Sequence, residues 1–226
     1  MSESADFPLR LAAPRPWDAR LARRLVLPLR NGPVSPNHLT TVRLVTGLAA
    51  AGAFIPGSYG WSNLGALLVV LSNFLDHADG ELARISGKGS RFGHFYDLAS
   101  DALITVLLFV AMGVGAGAAT SIRWAVPPAV LGAISGAAIA FIFLVRMRIE
   151  SLAGKVASRQ AAFGGFETED VLYLLPLVTL CDGIVPLLVA ASIGAPLFAV
   201  WVVGDYRRLL RTRTPVAPST SDAGPA

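Results

Sequence analysis

From residue 38 onward the chain alternates long apolar runs with short polar breaks, the pattern of successive membrane-crossing helices. Ser35, Pro36, Asn37 and Thr40 form a helix-start signal, and the first span runs from there to about Ile55. Pro56 to Gly60 is an uncharged turn. The second span, about Trp61 to Arg84, is roughly 36 Å long at 1.5 Å per residue, enough to cross a bilayer. Ser86 to Ser90 has a loop composition, and the third span follows from about Phe92 to Gly115. The fourth runs from about Trp124 to Val145 and contains Gly132 and Gly136, a small-residue spacing that permits close helix packing and leaves a homodimer possible. After a polar segment, Arg146 to Asp170, residues Val171 to Tyr206 hold two more spans. Their hairpin has two solutions. A turn at Asp182 and Gly183 spares Asp182 from burial but shortens the fifth span; a turn at Gly194 to Pro196 balances the spans but buries Asp182.

Ahead of these spans, Pro16 to Arg30 reads as an amphipathic helix. Trp17, Leu21, Leu25 and Leu29 fall three to four apart, with Arg20, Arg23 and Arg24 off that stripe. Such a helix lies in the headgroup layer or packs on the bundle's end, and the two are compatible. The pattern therefore predicts an all-α integral membrane protein with six transmembrane helices and a juxtamembrane helix. Residues 1–34 form an arm, 35–211 the membrane domain, and 212–226 a disordered, Pro/Ser/Thr-rich tail. No apolar run of signal-peptide type precedes residue 38.

Composition agrees. The chain has 226 residues, 54% hydrophobic and only 15% charged, against about 25% charged in soluble domains. One cysteine, Cys181, excludes an internal disulfide. The net charge of +4 invites a nucleic-acid reading, but the positions of the charges argue against one. The arm and first span carry seven of the 19 basic residues; the 84–91 loop, the 146–159 segment and the 207–213 tail carry all the rest except Arg123. Under the positive-inside rule these segments and both termini face the cytoplasm, as expected of a cell (inner) membrane protein.

Candidate chemistry is concentrated in residues 76–101. Asp76 and Asp79 are three apart, Asp97 and Asp101 four apart, so each pair shares a helix face. They sit at the facing ends of spans two and three, at one depth near one surface. A carboxylate at the centre of a membrane helix costs about 2.5–3.5 kcal/mol. Four together need neutralising, and among the neighbours in sequence only Arg84, Lys88 and Arg91 are basic. An oxygen-only cage suits Mg²⁺ or Mn²⁺, and two metals sharing four carboxylates form a catalytic arrangement. The plainer alternative is four scattered polar residues at helix ends.

At these residues the chain resembles the CDP-alcohol phosphotransferases. Asp76, Asp79, Gly80, Ala83, Arg84, Gly93, Asp97 and Asp101 match that family's signature without departure. The resemblance implies a six-helix membrane enzyme of phospholipid synthesis, usually a homodimer, with two divalent cations. A CDP-linked lipid donor and a small alcohol acceptor react, and CMP leaves. It also implies roles: Asp76, Asp79 and Asp97 as metal ligands, and Asp101 as ligand and general base. Gly80 and Ala83 make room for the CDP moiety, Arg84 pairs with the diphosphate, and Gly93 keeps the start of the third span close-packed. Asn37 and Thr40 match the family's approach to its first span and face the site, though helix capping explains them as well. Arg146, Arg148, Lys155 and Arg159 would hold a phosphorylated acceptor such as glycerol 3-phosphate or inositol phosphate; topology alone would also put them there. Glu150, Glu167, Glu169 and Asp170 would instead suit an amino-alcohol.

Singly, Gly80 and Gly93 also fit as helix-packing glycines, and Arg84 as a snorkelling end residue. His77 and His94 read as packing or interface residues, and Glu81 is undecided. A divalent-cation transporter is the competing class, since intramembrane aspartates often mark ion paths. It would want carboxylates near the midplane, whereas these cluster at one face. A silent membrane scaffold would not need the intact signature.

Overall fold

The computed structural model describes residues 17–119, 125–153 and 172–212, all helix and connecting turn, with no strand among them. In chain order the helices are α1 (Trp17–Val26), α2 (Pro36–Phe54), α3 (Tyr59–Ser86), α4 (Arg91–Ala118), α5 (Pro128–Ala153), α6 (Leu175–Leu180) and α7 (Ile184–Thr212). The arm before residue 17, the tail after 212, Arg123 and residues 154–171, including Lys155, Arg159, Glu167, Glu169 and Asp170, lie outside the described residues.

Local chemistry sets the boundaries around the aspartates. Ser35 caps α2 in extended conformation, Pro36 takes the first turn, and the Ser35 N–H donates to His38 Nδ1 at 3.2 Å. α3 ends at Gly87, whose φ of 68° is the left-handed C-terminal conformation that glycine adopts without a Cβ penalty. Three residues on, Ser90 caps α4 by accepting the Gly93 N–H at 2.9 Å. The resulting short loop turns α4 back along α3. Lys88 fastens it by donating to the Gly32 carbonyl at 2.7 Å.

α2 packs extensively on both α3 and α4, α4 on α5, and α5 on α7, while α6 lies against α3. The core gathers Ala50 and Phe54 from α2, Ala66 and Val69 from α3, Leu108 and Met112 from α4, and Leu188 from α7. A second cluster joins Ala22 and Val26 of α1 to Ala78 and Leu82 of α3. Thus α1 turns its Ala19, Ala22 and Val26 face to the bundle, and Leu21 and Leu25 of the expected apolar stripe face outward.

α4, residues Pro128–Ile149 of α5 and residues Ile184–Arg211 of α7 are long and apolar enough to cross a membrane. Of the most apolar stretch of α7 only 11% is buried by protein, so large side chains such as Leu197, Val200 and Trp201 face outward. α2 and α3, which carry Thr40, Arg43, Asp76 and Asp79, do not meet that standard. The hairpin falls at Asp182: its φ is 53°, its side chain is exposed, and the Gly183 N–H donates to the Val178 carbonyl at 2.8 Å. The helix α7 runs through Pro196 without a turn. Ahead of the hairpin, the described part of the expected fifth span is one 3-10 turn and the six residues of α6.

Gly132 and Gly136 are consumed within the chain. They lie on α4 at Phe109 and Val106, so this pair is not a free dimer surface. A methyl on Gly132 would run into the Phe109 carbonyl. The variant Gly132→Val is accordingly expected to lose about 1–3 kcal/mol or more by overpacking. Thermal melts in detergent would register this as a clear drop in Tm; an unchanged Tm would contradict the α4–α5 packing.

Candidate active site

One stripe of α2 builds the centre of the site: Asn37, Thr40, Arg43 and Gly47, spaced three to four residues apart. Each meets something specific on α3 or α4. Gly93 approaches Asn37 so closely that a Cβ there would stand 2.7 Å from the Asn37 side-chain oxygen. Thr40 donates its hydroxyl hydrogen to Asp79 Oδ2 at 2.8 Å. Gly47 leaves room for the Ile104 side chain. Between them, Arg43 reaches all four aspartates.

Arg43 has a side-chain exposure of 2%. Its Nη1 lies 2.5 Å from Asp76 Oδ1, 2.5 Å from Asp97 Oδ1 and 3.9 Å from Asp79 Oδ2, and its Nη2 contacts Asp101 Oδ1. Along the sequence only Arg84, Lys88 and Arg91 stand near the carboxylates, which leaves Arg43 out of the expected partners. The structure corrects this: Arg43 is the cation inside the cluster. Its signal in the sequence was a lone arginine in an apolar run, one helical turn after Thr40.

Asp76, Asp97 and Asp101 each offer an oxygen within 4.8 Å of the others. A single Mg²⁺ or Mn²⁺ bound at about 2.1 Å needs its ligand oxygens no more than about 4.2 Å apart. A closing of roughly half an ångström would serve, and the donors are all hard carboxylate oxygens. The residues present therefore fit such an ion. Asp79 is the most buried of the four, turned toward Thr40.

The other expected site residues are distributed as follows. A Cβ on Gly80 would meet nothing within 4 Å, so space opens there beside α3. Ala83 is half-buried one turn on. Arg84 is 66% exposed and pairs with Glu81 at 2.5 Å, on the side of α3 that faces α1, where Arg23 also approaches Glu81 at 3.7 Å. That pairing gives the undecided Glu81 a structural partner. Arg146 stacks over the Phe198 ring at 5.6 Å. Arg148 lines a cavity of about 470 Å³ between α5 and α7, with Leu144, Val145, Met147, Ser151 and Tyr206.

A further polar cluster was not anticipated. Asp18 of α1 is fully buried. His77 Nε2 lies 3.2 Å from Asp18 Oδ2, to which the Tyr173 hydroxyl also donates at 3.2 Å. His77 Nδ1 faces the Asn73 carbonyl oxygen at 3.0 Å. This ties α1, α3 and the turn before α6 together, close behind Asp76. His77 is thus a packing residue with a defined partner.

Comparison with known proteins gives a family match. The family model described as CDP-alcohol phosphatidyltransferase matches residues 33–204. The chain is 28% identical over 184 residues to a bifunctional IPC transferase and DIPP synthase of Rubrobacter xylanophilus, covering 81% of this chain and 37% of that protein. It is 35% identical over 83 residues to an archaetidylinositol phosphate synthase of Pyrococcus horikoshii, covering 35% of this chain and 42% of that protein. The chain thus spans less than half the length of either relative.

Asp18→Asn would weaken a buried, charge-assisted contact and is expected to cost about 1–3 kcal/mol, with Tyr173→Phe costing about 1 kcal/mol. Paired melts of the two variants would check the order. Equal stability of Asp18→Asn and wild type would show that the cluster does not hold α1.

Proposed function

The chain belongs to the CDP-alcohol phosphatidyltransferase family, and from that premise we propose that it transfers a phosphatidyl group from CDP-diacylglycerol to a phosphorylated alcohol and releases CMP. The convergence of Asp76, Asp97 and Asp101 at the facing ends of α3 and α4 carries this reading. Two divalent cations held by Asp76, Asp79, Asp97 and Asp101 would supply charge neutralisation to the diphosphate. The chain's own groups do the rest. Asp101, 31% exposed and so within reach of substrate, takes the proton of the attacking hydroxyl as the new oxygen–phosphorus bond forms and the bond to CMP breaks. The open space at Gly80, with Ala83 beside it, receives the CDP moiety against α3, and Asn37 and Thr40 border the site from α2. Arg84, on an exposed side chain, swings from Glu81 to the diphosphate, where its fork matches paired oxygens.

For the acceptor, inositol phosphate is favoured over glycerol 3-phosphate by the similarity to the archaetidylinositol phosphate synthase of Pyrococcus horikoshii. Arg148, which lines the α5–α7 cavity, would contribute cationic charge, with Arg146, Lys155 and Arg159 as its expected companions. The membrane arrangement proposed is six spans: α2, α3, α4, α5 and the two expected between Val171 and Tyr206. The aspartates and both termini lie on the cytoplasmic side, and α1 lays Leu21 and Leu25 in the headgroup layer.

Purified protein with labelled CDP-diacylglycerol and a panel of alcohols tests the reaction. CMP release is expected with inositol phosphate, dependent on Mg²⁺ or Mn²⁺ and abolished by EDTA. Asp101→Asn should reduce the rate by at least about 100-fold while the protein stays folded. Release with an amino-alcohol alone would overturn the acceptor assignment, and metal flux into liposomes without CMP release would favour a transporter. Orientation has its own probe in Cys181, the sole cysteine and exposed in the turn before α7. A membrane-impermeant maleimide should label it from outside intact cells; labelling only after lysis would invert the topology.

A further inference from the structure

We infer that Arg43 and the divalent cation are alternative occupants of one carboxylate cage, so that metal binding requires release of the guanidinium. This rests on the reading of the aspartates as a metal site. Nη1 stands 2.5 Å from both Asp76 Oδ1 and Asp97 Oδ1, and Nη2 contacts Asp101 Oδ1. Those three residues are the ones whose oxygens converge within 4.8 Å. An ion at about 2.1 Å from the same two oxygens would lie no further than about 4.6 Å from Nη1, and nearer the more the oxygens spread. Two like charges at that separation, with the arginine almost wholly shielded from solvent, repel strongly. The carboxylates cannot serve both at once.

The charge balance points the same way. Four carboxylates face one guanidinium, so the arrangement holds the oxygens together yet leaves net negative charge to attract a stronger cation. The protein also gives the arginine means to move. Three of its four partners, Asp76, Asp97 and Asp101, are between 22% and 31% exposed, so one side of the cluster is open. The backbone of Arg43 meanwhile stays fixed in α2, its carbonyl accepting from Ser72 Oγ at 3.2 Å. The exchange proposed is therefore a rotation of the side chain about a fixed backbone.

The experiment uses full-length protein in detergent, stripped of metal, with Mn²⁺ as the probe and the electron paramagnetic resonance signal of free Mn²⁺ as the readout. Wild type is compared with Arg43→Met, which removes the competing charge, and with Arg43→Lys, which keeps the charge and loses the fork. If the guanidinium-free form is about a tenth of the metal-free wild type, Arg43→Met binds Mn²⁺ about tenfold more tightly. Arg43→Lys, with fewer bonds to the oxygens, falls between. In melts, Arg43→Met without metal is expected below wild type, and saturating Mn²⁺ raises its Tm by more than it raises that of wild type. Should Arg43→Met not fold, the tightening in Arg43→Lys decides. Unchanged or weaker Mn²⁺ binding in the folded variants would overturn the exchange and make Arg43 an orienting partner of the ligands. Absence of Mn²⁺ binding in wild type and variants would sink the metal-site reading along with it. Tighter binding in the variants of a wild type that releases no CMP would leave the exchange standing while the transferase reading fails.

Discussion

The structure depends on how four carboxylates are kept together on helices otherwise built of apolar residues. Asp76 and Asp79 lie in the last turns of one helix, Asp97 and Asp101 in the first turns of the next, and the short loop through Gly87 and Ser90 turns the pairs toward each other. Left alone, such a group would push α3 and α4 apart. The position of α2 follows from that constraint. It lies across both helices and delivers a hydroxyl to Asp79 and a guanidinium to all four aspartates. On other faces of the same helix, Val42 and Val45 are 52% and 62% exposed. The contacts to the aspartates come from one stripe, and the stripe leads into the core at Gly47 and Ala50.

The second consequence is that α3 is polar on two sides. Asp76 and Asp79 point toward α2 and α4, while His77 and Glu81 point toward α1, where Asp18 and Arg23 meet them. Buried polar groups are tolerated when each has a partner, and α1 supplies partners that no lipid could. That gives α1 a structural task in holding α3. It also accounts for the face α1 chooses: small residues Ala19 and Ala22 allow close approach to α3, and the bulkier Leu21 and Leu25 are left outside.

Local signals made much of this legible in the sequence. The starts and ends of α2, α3 and α4 fall within a few residues of the limits set by Ser35, Pro56, Ser86 and Ser90, because capping and turn chemistry act over one helical turn. The spacing of the aspartates gave their shared faces, because helix periodicity is local too. What escaped were pairings between distant segments. Arg43 meets Asp76 and Asp97 from 33 and 54 positions away, and Asp18 meets His77 from 59. No periodicity encodes such a pair, and charge counting assigned Arg43 to topology. The α6–α7 hairpin was similarly ambiguous. Asp182 with Gly183 and Gly194 with Pro196 are comparable turn formers, and the choice falls to packing, which places Leu188 in the central core and Ala199 and Val202 against α5.

A single arginine among four aspartates is a particular compromise. Full neutralisation by several basic residues would make a stable structural core with no affinity left for a metal. Apolar replacement would be more stable still and chemically inert, since buried ion pairs seldom outcompete well-packed hydrophobic groups. One guanidinium is enough to hold the oxygens at a common point and too little to satisfy them. The residual negative charge, facing the open side of the cluster, is what distinguishes a site that can exchange its cation from one that merely survives burial. In that sense the incomplete neutralisation of the aspartates is the property from which both the assembly of α2, α3 and α4 and the proposed chemistry follow.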